Sequence, residues 1–261
     1  MEQLVLDIGI VPEASFARFL PAGNEAALQA LQQGVARQIA QASQPPSAQA
    51  ANAPVYLWGG PGTGKTHLLQ AVALAFEQQG LQVGWLRGRQ PNCDDAASTS
   101  TPDTADDNWQ STWQAILLDD VQHFTPAQQR LAFKHFIDAA HPPDGRPRWV
   151  IAAGDAPPVD LALREDLRTR LGSGVSFALQ ALSDAQRLQV LQMQARERGL
   201  HLSAEVGHYL LTRYSRDLSS LTALLARLDT HALRAQRALT LPLLRQALQG
   251  ESSHDHHDAQ A

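Results

Sequence analysis

Between Trp58 and His67 the chain runs Gly59-Gly60-Pro61-Gly62-Thr63-Gly64-Lys65-Thr66, and few eight-residue segments restrict a fold so strongly. Glycines at this spacing present bare backbone N–H groups that can wrap a phosphate chain, while Lys65 supplies charge and the Thr66 hydroxyl a metal ligand. Such a loop works only between a buried strand and a helix. Val55-Tyr56-Leu57-Trp58 reads as the strand, and His67 to Gln79 as the helix, ending at Gly80. Lys65 and Lys134 are the only lysines among 21 basic residues, so a lysine where a compact ammonium suits a phosphate is not compositional drift. The segment predicts a phosphate-binding loop, with Gly59, Gly60, Pro61, Gly62, Thr63, Gly64, Lys65 and Thr66 contacting a nucleotide.

Punctuation and periodicity organise the rest. Residues 1–14 read as an extended leader, and Ser15 to Gln41 carry helical apolar spacing through Ala27, Leu28, Leu31, Val35 and Ile39. Gln44 to Pro54 lacks large apolar residues and reads as a linker. Strands are expected at Val83–Leu86, Ala115–Leu118, Trp149–Ala153 and Val175–Leu179. Thr125-Pro126-Ala127-Gln128 outlines a capping box opening a helix toward Ala140, and Ser183 with Gln186 outlines another. The acidic, low-complexity stretch 88–108 reads as a flexible insertion. Strands alternating with helices, then helices alone, predict a parallel α/β domain over 15–180 and a small all-helical domain over 181–249, with a disordered tail at 250–261.

Ile116-Leu117-Leu118-Asp119-Asp120 is the second chemical signal, an apolar strand ending in two carboxylates. Parallel sheets place ligands at that end of their strands. Asp119 can there hold Mg²⁺ opposite Thr66, and Asp120 can orient or polarise a water near a terminal phosphate. Asp155, after the strand Val150 to Gly154, can order water between the two motifs. Arg164, Arg168 and Arg170 cluster before Leu171-Gly172-Ser173-Gly174. An arginine there is either a solvated surface charge or a finger on a neighbouring subunit's γ-phosphate. Arg216 has the same two readings, with this chain's own nucleotide as the functional target.

The balance of charge sets outer limits. Net charge is −5, yet residues 164–245 hold twelve arginines against seven acidic residues, so the C-terminal part is basic and the remainder acidic. The first residues lack a basic n-region and no apolar run approaches the roughly 18 residues of a membrane span, which predicts a cytoplasmic protein without membrane contact. The single cysteine, Cys93, excludes an internal disulfide. His254, His256 and His257 read as part of a solvated tail.

Taken in order, Gly59–Thr66, Asp119-Asp120, Asp155, Arg170 and Arg216 resemble the AAA+ ATPases. The resemblance implies Walker A, Walker B, sensor 1, arginine finger and sensor 2 roles for them in that order. Phe16-Ala17-Arg18-Phe19 with Gly23-Asn24, Asp119-Asp120-Val121-Gln122, Gly154-Asp155-Ala156-Pro157-Pro158 and Arg168 to Gly174 are similar to segments of the bacterial initiator DnaA. DnaA continues into a helix-turn-helix domain, for which no room is expected before Ala261. Gln3-Leu4-Val5-Leu6-Asp7-Ile8 is similar to the peptide by which bacterial proteins dock on the sliding clamp of DNA polymerase III, burying Leu4, Leu6 and Ile8 while Gln3 satisfies backbone groups. An edge strand would give the same letters.

Together these segments resemble the Hda family of DnaA regulators. The resemblance implies ADP or ATP with Mg²⁺ as cofactors, DnaA and the clamp as partners, DNA contact only through the clamp, and weak ATP turnover of its own. A homo-oligomer stays open. The sequence departs from the pattern at Asp7, where proline is usual, and at Ser173, where an aromatic is usual. A DnaC-like helicase loader and a nucleotide-gated tethering module are the alternatives; the acidic leader speaks against the loader.

Overall fold

The computed structural model describes residues 14–45, 51–88, 110–198, 200, 202–213 and 221. The leader with Gln3, Leu4, Leu6 and Ile8, nearly all of the insertion, Cys93, Arg216 and the histidine tail lie outside the described residues. The chain divides into two compact units, one of them Glu13–Ala181 and the other holding the helices from Asp184 onward.

Five strands make the sheet of the first unit: β1 (Val55–Trp58), β2 (Gln82–Arg87), β3 (Trp113–Asp119), β4 (Trp149–Gly154) and β5 (Val175–Ala178). Their order is β2-β3-β4-β1-β5 and every pairing is parallel. β1, β3 and β4 are apolar runs because helices cover both faces of the sheet. Alternate residues sort to the two sides with the strand period. Val55, Leu57, Leu117, Trp149 and Ile151 join α1 (Glu25–Ala42) and α2 (Lys65–Glu77) in one core. Tyr56, Ile116, Leu118, Val150 and Ala152 join α3 (Pro126–Ala140) and α4 (Glu165–Leu171) in the other. The helix after β1 therefore lies on one face, and those after β3 and β4 on the opposite one, which puts the topological switch between β1 and β4.

Two expectations need correction. The helix read from Ser15 is broken: a one-turn 3-10 helix spans Phe16–Arg18 and α1 starts only at Glu25. Between them Ala22 and Gly23 have φ of 45° and 94°, left-handed values that no right-handed helix contains. The helix after the glycine-rich loop begins at Lys65 rather than His67, because the left-handed Gly64 (φ 90°, ψ 16°) serves as its N-cap. Thr125 and Gln128 do form a reciprocal capping box, as do Ser183 and Gln186 at the start of α5 (Asp184–Glu197). With α6 (Ala204–Arg213), α5 builds a small core of Leu191, Ala195, Val206, Leu210 and Leu211. Among the described residues no helix is long and apolar enough to cross a membrane.

One contact sets how close α1 comes to the sheet. A Cβ on Gly34 would stand 2.3 Å from the Trp149 ring, which is 1% exposed and donates from Nε1 to the Ala53 carbonyl at 3.0 Å. Helix propensity alone favours Gly34→Ala by about 0.5–1 kcal/mol, but overpacking against a ring with no room to move costs about 1–3 kcal/mol. Gly34→Ala is expected to lower the urea unfolding midpoint, and Gly34→Val to lower it further. A raised midpoint in either would show that α1 can shift outward.

Candidate nucleotide site

The glycine-rich loop leaves β1 where Trp58 pairs with Gly154 of β4, so Gly59 and Asp155 start side by side at the carboxyl end of the sheet. On the other side of β4, Leu118 pairs with Ala152, which brings Asp119 and Asp120 to the same edge. Gly59, Gly62 and Gly64 have φ of 154°, 73° and 90°, and the Thr63 hydroxyl closes the turn onto the Gly60 carbonyl at 2.9 Å. At Gly64 space as well as φ opposes a side chain. A Cβ there would lie 2.8 Å from the Phe19 ring, which itself sits 5.9 Å from the His67 ring. His67 donates from Nε2 to the Ser15 carbonyl at 3.0 Å, and burial holds its imidazole below the usual value although that bond pulls the other way. The segment before α1 is thereby fastened to the loop.

Lys65 is only 8% exposed. Its ammonium donates to the carbonyls of Gly59 at 2.7 Å and Gly60 at 2.9 Å. Burial lowers its pKa, and the charges of Asp120, Asp119 and Asp155 oppose that shift. Lysine and the three carboxylates therefore form one electrostatic group, drawn from three adjacent strands. Asp119 is 2% exposed, and burial, helped by the charge of Asp120, pushes its carboxyl above the usual range; the Thr66 hydroxyl, Arg87 and the N–H of Asp120 pull the other way. Arg87 is the β2 residue in register with Asp119, and its guanidinium lies 4.4 Å from the centre of the Trp85 ring. Asp120 is in the left-handed region (φ 51°, ψ 48°), a conformation that non-glycine residues keep only where surrounding bonds impose it.

The residues present fit the phosphate chain of a nucleotide with a divalent cation. Turns of positive φ aim backbone N–H groups into a concavity suited to anions, α2 adds its N-terminus, and Lys65 supplies the compensating charge. Among the described residues no group of three or more His, Cys, Asp or Glu is arranged to hold a metal by itself. A cation beside Thr66 and Asp119 would take its remaining ligands from phosphate and water, as Mg²⁺ does.

The sequence-predicted residues Gly59–Thr66, Asp119, Asp120 and Asp155 come together; Arg170 stands apart on α4. It is exposed and has no ion pair among the described residues. Arg168 is half-buried instead, with Nη1 donating to the Val159 carbonyl at 3.4 Å and Nε buried without a hydrogen-bond partner among the described residues. Arg164 pairs with Asp166 at 2.6 Å. Two residues of the site escaped the sequence reading. Tyr56, buried on β1, donates its hydroxyl to the Ala156 carbonyl at 2.8 Å and so fixes the turn carrying Asp155; burial, then the Asp155 charge, pushes the phenol well up. Arg87 is the other, since nothing in its local sequence distinguishes it from a surface arginine.

The family model of the bacterial DnaA ATPase domain matches residues 13–178, and that of the Hda lid domain matches residues 184–248. The chain belongs to the Hda-type, DnaA-related AAA+ proteins. Among solved structures it is similar to domain III of DnaA from Thermotoga maritima, with a TM-score of 0.62 at 19% identity over 92% of this chain and 97% of that one. AMPPCP-bound DnaA from Aquifex aeolicus gives 0.57 at 22% identity, covering 82% of this chain and 64% of that one. A mutant form of RuvB from Thermotoga maritima gives 0.58 at 14% identity over 90% of this chain and 72% of that one. These likenesses establish the AAA+ fold: a five-stranded parallel sheet flanked by helices, followed in this Hda-type chain by a helical lid.

The raised carboxyl of Asp119 has a consequence for stability. A carboxyl whose folded value lies above its ordinary 3.8 makes the folded state hold its proton longer than the unfolded chain does. Ionisation therefore costs stability as pH rises past the unfolded value, and the cost is complete above the folded one. Asp119→Asn in the Hda-type chain is expected to melt higher than the parent at pH 7 without nucleotide, with the difference closing as pH falls toward 3.8. Thermal melts across pH check this; a variant that melts lower at pH 7 would mean that the carboxylate's hydrogen bonds outweigh its burial.

Proposed function

We propose that this chain regulates the start of bacterial DNA replication by binding adenine nucleotide, docking on the sliding clamp of DNA polymerase III, and stimulating hydrolysis of ATP held by DnaA. The initiator is left in its ADP form, so initiation does not repeat. In this reading Arg170 acts in trans on the γ-phosphate of DnaA-bound ATP. Thr66 and Asp119 hold Mg²⁺ with this chain's own nucleotide, Asp155 orders water there, and Arg216 contacts the same nucleotide. Gln3, Leu4, Leu6 and Ile8 engage the clamp, DNA is met only through it, and the protein works in the cytoplasm.

The observation that carries this reading is the contrast between two neighbouring arginines on a DnaA-type module joined to an Hda-type lid. Arg168 is held by the Val159 carbonyl, whereas Arg170 is exposed on the same helix. A guanidinium reaching a γ-phosphate in another molecule has to be unencumbered, and it stabilises charge that develops in the transition state. The carboxylate at Asp120 is one methylene shorter than the glutamate usual in fast AAA+ ATPases. It reaches an attacking water less well, which suits a protein whose important hydrolysis occurs in its partner.

Hydrolysis of ATP pre-bound to DnaA, followed with this chain and DNA-loaded clamp, tests the assignment. Arg170→Ala is expected to remove stimulation by about 10³-fold or more while keeping the fold and nucleotide binding, and Arg170→Lys to restore little, since an ammonium lacks the bidentate fork. Arg168→Ala should reduce stability instead. Normal stimulation by Arg170→Ala with loss in Arg168→Ala would move the finger to the other arginine. Replacing Gln3 and Leu4 together by alanine is expected to abolish clamp capture in a pull-down and leave adenine-nucleotide affinity intact; unaltered capture would return the leader to the edge-strand reading.

A further inference from the structure

Gln122 plays no part in the site as described so far, yet it touches it. The residue belongs to the one-turn helix Val121–His123 that leaves β3 behind the two carboxylates. Its Nε2 donates to Oδ1 of Asp120 at 3.1 Å, and its own Oε1 is buried without a partner among the described residues. The turn shows what keeps the contact with Asp120. Asp120 is left-handed, its N–H bonds Oδ1 of Asp119 at 3.1 Å, its carbonyl accepts from the N–H of His123 at 2.9 Å, and Val121 is fully buried in the core shared with α3 and α4. The backbone of Asp120 is fixed by these bonds. Rotation of its carboxylate is the freedom that remains, and Gln122 takes it.

Position governs a general base, which must lie within hydrogen-bond reach of the water it activates. A carboxylate oxygen already accepting from an amide has to release or share that bond first. We propose that Gln122 is a positioning residue that latches Asp120 in a resting orientation, keeps this chain's own ATP hydrolysis slow and so preserves its nucleotide as a lasting ligand. The inference rests on the reading above, in which the bound nucleotide serves regulation. In the step restrained, the water oxygen bonds to the terminal phosphorus, and the bond from phosphorus to the bridging oxygen breaks with its electron pair passing to ADP. The proton leaves the water for Asp120 and ends on the phosphate product. Gln122 donates no proton in this step; it controls where the acceptor oxygen points.

Single-turnover hydrolysis of ATP with Mg²⁺ by the full chain, together with ADP titration, tests the latch in the parent, Gln122→Ala, Asp120→Asn and the double variant. Gln122→Ala is expected to hydrolyse ATP at least about threefold faster with its ADP affinity changed less than about twofold, a rate effect without a binding effect. The double variant should be no faster than Asp120→Asn, because the latch acts only through that carboxylate. Gln122→Met fills a similar volume without a donor and should match Gln122→Ala, which keeps the test open if the alanine variant folds poorly. Rates at or below the parent in both Gln122 variants, including rates too slow to detect, would overturn the latch, as would equal acceleration in the Asp120→Asn background. Stimulation of DnaA-bound ATP hydrolysis is measured on the same preparations. Its absence in the parent would sink the regulatory reading while leaving the rate comparison at Gln122 to stand or fall by itself.

Discussion

Lys65 is a lysine only 8% exposed whose charge has to be compensated, and that compensation explains much of how the carboxyl end of this sheet is built. Two loop carbonyls take its hydrogen bonds, and three carboxylates from the ends of β3 and β4 supply opposing charge. Each partner carries its own cost. Asp119 is itself buried, so its carboxyl is pushed up, and Thr66 and Arg87 are drawn in to offset that. The result is a chain of compensated charges running from β1 through β4 and β3 to the edge strand β2. A polyanion with a cation would enter this group on the lysine side and satisfy it more fully than the protein does alone.

The group stays assembled because the strands beneath it are in register and cannot slip. Leu57, Leu117, Ile151 and Leu118 are fully buried, and shifting any of these strands by one residue would turn its apolar side chains to the wrong face. The turns at the strand ends are fastened in different ways. The glycine-rich loop is closed by Thr63 onto Gly60, the turn after β4 by Tyr56 onto Ala156, and the turn after β3 by Asp119 onto the N–H of Asp120. All three fasteners are buried side chains. The edge of the sheet that carries the site is held in place because its supports are continuous with the core.

On α4, the sheet's rigidity is put to a different use. Leu167 and Leu171 are buried and anchor the helix on the α3 side of the sheet, while Arg170 remains on the exposed face. The trans role proposed for Arg170 would need a fixed base and a free end, and the spacing of buried Leu167 and Leu171 around exposed Arg170 is compatible with both. The contrast with Arg168, which spends its guanidinium on a backbone carbonyl, is local and depends on the Pro157-Pro158-Val159 turn approaching the helix.

The amino-acid sequence by itself determined the fold class, the phosphate-binding loop, the paired carboxylates and the capped starts of α3 and α5. Each of these depends on neighbours within a few positions, such as glycines that permit left-handed φ, a strand's apolar run, or a hydroxyl three residues before a glutamine. It misplaced the start of α1, because the helical spacing of Ala27, Leu28, Leu31, Val35 and Ile39 was extended back to Ser15 across the Pro21-Ala22-Gly23 break. Only the tertiary structure decided that β4 lies between β1 and β3, that Arg87 faces Asp119, that Tyr56 supports Asp155, and which of two nearby arginines is exposed. Those facts rest on contacts between residues 9 to 100 positions apart, from Arg168 on Val159 to Tyr56 on Ala156. Strand order and side-chain rotamers are settled by packing and hydrogen bonding across the sheet, and a local pattern carries no record of them.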